Sequence, residues 1–121
     1  MPVETKQLKI NRNSNIQTIG DLEVKVASTF WSRLVGLLNR RELGDHEALL
    51  LVPCRDIHTF GMRFAIDVVF LAKSGAVLGY ADNVLPNKVR SSPKGTYSVL
   101  EVANGNRKRT GINLDDQLIF D

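Results

Sequence analysis

One stretch concentrates the residues that could do chemistry: Cys54-Arg55-Asp56-Ile57-His58-Thr59-Phe60-Gly61-Met62-Arg63, with Asp67 four residues on. Cys54, His58 and Met62 are soft donors of the kind that suit copper(I) or zinc. Their i, i+4, i+8 spacing aligns them only on a helix, and Pro53 and Gly61 oppose one. The other histidine, His46, sits in a separate loop, so a zinc set lacks ligands. No metal or other cofactor is therefore expected. A second chemistry is nucleophilic: a Cys54 thiolate with His58 taking its proton and Asp56 or Asp67 orienting the imidazole. One cysteine and one nearby histidine do not complete a catalytic set. A third account is structural, with His58 bonded to backbone and Thr59, Phe60 and Met62 packing a crossover. Asp67 stands inside an apolar run and must find donors. Arg63 or backbone amides are available, and an ion pair is the expectation. Glu101, inside another apolar run, raises the same question and takes the same answer.

Around this stretch the pattern is mostly β. Leu8 and Ile10 alternate with polar neighbours, Asn11 to Asn15 reads as a turn, and residues 16–19 return as a short strand. Gly20-Asp21 reads as a second turn, and Leu22, Val24 and Val26 give another strand. The period then changes. Phe30, Leu34, Leu37 and Leu38, widened by Trp31 and Val35, predict one amphipathic helix over about 29–40, capped by Ser28 or Thr29. Ala48 to Val52 reads as a central strand buried on both faces and ended by Pro53. Ala65 to Leu71 and Ala76 to Tyr80 form a hairpin about Lys73-Ser74-Gly75. Asp82 to Gly95 reads as loop, Tyr97 to Ala103 as a strand buried on both faces, Arg107 to Thr110 as a helical turn or loop, and Gln117 to Phe120 as the last strand. The expectation is an α+β domain over 1–121: a mostly antiparallel, barrel-like sheet with one main amphipathic helix. Residues 1–21 would be an added hairpin.

Composition limits the function classes. The 121 residues are 43% hydrophobic and 24% charged, which fits one globular domain. The single cysteine excludes an internal disulfide. Met1 to Gln7 lacks a signal-peptide core, and no apolar run approaches a membrane span. A cytoplasmic protein with no membrane partner is expected. The net charge is +3, and residues 83–114 hold six basic side chains and one acidic one. Lys88, Arg90, Lys94 and Arg107 to Arg109 could bind an anion. No interleaved aromatics offer base stacking, so nucleic acid ranks last. Gly-rich phosphate loops, Cys-x-x-Cys and His-Glu-x-x-His are absent.

The order of motifs resembles a bacterial and archaeal family, domain of unknown function 192. The resemblance rests on Gly36-Leu37-Leu38-Asn39-Arg40, His58 to Arg63 with Ile66 to Phe70, Gly75-Ala76-Val77, Val99-Leu100-Glu101 with Gly105, and Gly111-Ile112. It covers about residues 22–120. Leu38 stands where many members have methionine, and Asp115 where a glycine commonly precedes the final Asp116. Many relatives carry signal peptides. The resemblance implies a compact β-rich domain with one main helix and supplies no reaction. Together these readings favour a small non-enzymatic module binding a protein or small molecule, with Cys54, His58, Met62, Arg63 and Asp67 as candidate ligand-binding residues. The alternatives are a thiol- or metal-dependent enzyme using Cys54 and His58, and a weak anion or nucleic-acid binder through residues 88–109.

Overall fold

In the computed structural model, residues 4–27, 43–54 and 64–121 are described, together with the backbone of residues 57–58. The helix expected at 29–40 lies outside the described residues. Among the described residues nine strands are formed: β1 (Glu4–Arg12), β2 (Asn15–Ala27), β3 (Glu47–Leu51), β4 (Ile57–His58), β5 (Ile66–Leu71), β6 (Val77–Val84), β7 (Val89–Arg90), β8 (Ser98–Ala103) and β9 (Gln117–Phe120). A short helix, α1 (Asn106–Thr110), precedes β9. Seven strands make one mixed sheet in the order β6-β5-β8-β3-β2-β1-β9, and β4 pairs with β7 in a separate two-stranded ribbon. The α+β class holds.

The sheet is not closed into a barrel. Among the described residues its edges approach at one end, where Ala76 bridges Gln117. There the Val77 amide donates to the Asp116 carbonyl (2.8 Å) and the Leu118 amide to the Gly75 carbonyl (2.8 Å). β3 runs parallel to β2 and antiparallel to β8. The β1–β2 hairpin is integral to the sheet, with β1 between β2 and β9. Its two-residue turn is Asn13-Ser14, both at positive φ, the geometry that matches strand twist. Gly20-Asp21 is not a turn. The register jumps from Gln7↔Glu23 to Leu8↔Ile19, so the extra residues are absorbed as a bulge in one continuous strand.

Alternation along the strands sorts the core into two faces. Leu8, Ile10, Val24, Leu50, Val69, Leu71, Leu100, Val102 and Leu118 pack together on the inner side of the curl. Leu49, Leu51, Ile66, Val68, Phe70, Val84, Val99 and Ala103 form a second cluster on the outer side. β5 and β8, both interior to the sheet, are buried at every position, as apolar runs interrupted only by Asp67 in β5 and by Ser98 and Glu101 in β8 predict.

Gly75 permits the edge contact. Its φ is +91°, and a Cβ there would collide with the Leu118 carbonyl oxygen. Gly75→Ala should therefore cost about 2–4 kcal/mol, through positive-φ strain plus loss of the contact. Urea unfolding checks this; an unchanged midpoint would show that the edges need not meet so closely.

Candidate functional site

The structure divides the carboxylates singled out in the sequence between the two faces. Asp67 lies on β5 in step with Val69 and Leu71 and is fully buried, on the inner side. Its Oδ1 accepts from the Asn83 amide (2.9 Å), and its Oδ2 from the amides of Gly105 (2.8 Å) and Arg107 (3.1 Å). The expected ion pair is not what satisfies it: three backbone donors do, two of them at the start of α1. Gly105, at the N-cap with φ +91°, has no side chain to cap that helix, and Asp67 serves instead.

Glu101 takes the other face. It sits on β8 between Leu49 of β3 and Val68 of β5 and shares parity with Val99 and Ala103. It is 5% exposed, and its Oε2 has no hydrogen-bond partner. The ion pair expected for it is absent among the described residues. Desolvation by burial pushes its carboxyl up to about 7. Cys54 and Phe64 pack against the same apolar cluster as Val99 and Ala103. Cys54 is half-buried, and its amide donates to the Tyr97 carbonyl (2.8 Å). Cys54 and Glu101 thus belong to one face, and Asp67 to the opposite one. Met62, Arg63 and Asp56 lie outside the described residues, and of His58 only the backbone is described. Among the described residues no group of three His, Cys, Asp or Glu side chains could hold a metal ion.

Two candidates far apart in sequence meet at β4. His58 pairs with Val89 and Ile57 with Arg90, so the basic segment runs beside the His58 strand. Two members of the basic set, Arg107 and Arg109, are engaged with carboxylates within the fold. Arg107 is buried; it donates to both Asp82 oxygens (2.9 and 2.6 Å) and to the Ile112 carbonyl (3.1 Å), with its guanidinium 3.8 Å from the Tyr80 ring centre. The hydrogen bond from Arg107 holds the Asp82 carboxyl below its ordinary range. Arg109 pairs with Asp21 (2.5 Å). At the far edge Arg12 forms a two-pronged pair with Asp116 (2.7 Å to each oxygen), and the Arg12 hydrogen bond lowers the Asp116 carboxyl likewise.

A family model described as DUF192, uncharacterized ACR, matches residues 9–120. The chain belongs to this family. No curated protein matches it. In structure it is similar to a proposed transcription regulator from Sinorhizobium meliloti 1021, at TM-score 0.82 and 21% identity, covering 99% of this chain and 96% of that one. It is also similar to a protein of unknown function from Novosphingobium aromaticivorans DSM 12444, at TM-score 0.79 and 22% identity, covering 95% and 84%. At such identities the likeness shows a shared fold alone. No helix among the described residues is long and apolar enough to cross a membrane.

β7 was not legible in sequence, because two residues carry no period; Glu101 was, as one charge within an apolar strand. Two measurements follow from the carboxylates. Asp67→Ala leaves three amide donors unmet and should cost about 3 kcal/mol or more, with Asp67→Asn costing less, read by chemical unfolding. For Glu101 the folded state holds its proton to about pH 7 while the unfolded chain releases it near 4.5. Stability should fall as pH rises through that window, by roughly 3 kcal/mol in all, and level off above it. Glu101→Gln should flatten the slope; a slope that persists would place its origin in another group.

Proposed function

We propose that this DUF192 chain is a small, non-enzymatic binding module with a polar site around residues 54–67, which Cys54 joins to the outer sheet face that carries Glu101. The observation that carries the reading is the Glu101 carboxyl, buried with one oxygen unpartnered. An unpaired polar group in an apolar interior costs folding free energy, and an apolar side chain there would be more stable. Such groups are uncommon in folded proteins and gather at functional sites. Cys54 and Phe64 on the same face support the location. So does β4, which sets the His58 strand against β7. Asp67, filled by backbone donors, acts in this reading as scaffold to the site and not as a ligand group.

Native mass spectrometry of freshly purified protein, beside its denatured mass, tests the reading. Wild type should carry extra mass that is lost on denaturation. That mass should be absent from Glu101→Gln, which keeps the side-chain shape, and from a folded His58→Ala. A clean apo mass for wild type would contradict it, and retention of the extra mass in both variants would move the site elsewhere.

A further inference from the structure

The connection from β6 to β7 exposes apolar side chains among cations. Leu85 is 49% exposed and Val89 60% exposed, four residues apart, on either side of a turn at Pro86-Asn87. Soluble proteins scatter such residues singly. Here Lys88, Arg90 and Lys94 fall in the same ten residues, and no acidic residue occurs from 83 to 100. The contrast with the rest of the chain is informative. Arg12, Arg107 and Arg109 each pair with a carboxylate. Arg90 and Lys94 form no ion pair among the described residues.

The segment is also held in place. Val84, just before it, is fully buried. Asn87 has φ +61°, a turn conformation that asparagine tolerates. Val89 and Arg90 are fixed by pairing with β4. Pro93 lies over Gly79 of β6, where a Cβ on the glycine would come within 2.9 Å of its Cγ. A display anchored at both ends loses little entropy on binding.

We propose that this turn is a membrane-surface contact: Leu85 and Val89 enter the headgroup region of an anionic bilayer while Arg90 and Lys94 meet the lipid charges. The inference goes beyond the ligand reading and makes no use of Glu101. It requires no spanning segment, since surface binding needs only buried apolar area and attraction to anionic lipid. The alternative occupant is an acidic protein. Protein partners concentrate affinity on anchors packed into fully desolvated pockets. Leu85 and Val89, 49% and 60% exposed beside a turn, are not seated in such a pocket, and a bilayer headgroup region requires none.

Co-sedimentation with vesicles decides it. Wild type should pellet with phosphatidylcholine vesicles containing about a third phosphatidylserine, but not with phosphatidylcholine alone, and high salt should release it. Leu85→Ser with Val89→Ser should weaken partitioning about ten-fold or more. Arg90→Gln with Lys94→Gln should weaken it about 25-fold, near five-fold for each cation. All four residues are exposed, and circular dichroism confirms that each variant is folded. Wild type left in the supernatant with the anionic vesicles at low salt overturns the proposal. So does binding that the Leu85/Val89 variant retains in full, which would make the contact purely electrostatic. Capture by immobilised polyglutamate together with no vesicle binding would assign the surface to an acidic protein instead.

Discussion

The fold depends on where three backbone amides at the end of the sheet find an acceptor. Asn83 closes β6, and Gly105 and Arg107 open α1; all three turn their N–H groups to the one carboxylate of Asp67. Backbone donors buried without partners are costly, so this convergence fixes β6, β5 and α1 against one another. Arg107 extends the constraint: its amide goes to Asp67, and its side chain clamps Asp82 and lies over Tyr80. The β6–β7 connection, with its exposed Leu85 and Val89, starts from this fixed point. At the other end Gly75 lets the edges of the sheet touch, and Arg12 locks β1 to the turn before β9 through Asp116.

Asp67 and Glu101 show how two buried carboxylates can serve opposite ends. They lie on neighbouring strands, both buried. Asp67 faces a strand end, where backbone donors remain unused by the ladder. Glu101 faces mid-sheet, where the amides on either side are already committed to β3 and β5. The first carboxylate is satisfied and stabilises the domain. The second is not, and it raises the free energy of the folded state above neutral pH. That asymmetry separates scaffold from candidate site more clearly than the sequence cluster from Cys54 to Asp67 does.

Much of the sheet was legible because its periods are clean. Ala48 to Val52 reads as a central strand, Ala65 to Leu71 as an apolar hairpin strand and Tyr97 to Ala103 as a strand buried on both faces, and β3, β5 and β8 are all interior to the sheet. Gly20-Asp21 misled because a bulge and a turn share the same residue types, and only the partner strand tells them apart. The open sheet in place of a barrel reflects pairing at one bridge rather than along a ladder, which no local pattern encodes. For the site, the odd charges at 67 and 101 were visible, but their partners were not. Donors at 83, 105 and 107 become neighbours of residue 67 only after folding. The same holds for His58 and Val89, whose two-residue strands carry no periodicity.

The central claim is that Glu101 is a buried, incompletely bonded carboxyl on the outer face, and its own titration tests that most directly. Carbon-13 NMR of the Glu101 side-chain carboxyl, assigned by comparison with Glu101→Gln, reports the midpoint in the folded protein. The account predicts a midpoint near 7, where burial places it. A midpoint near the ordinary 4.5 would mean that water or a cationic partner reaches the carboxylate, and the argument for a site at Glu101 would fail.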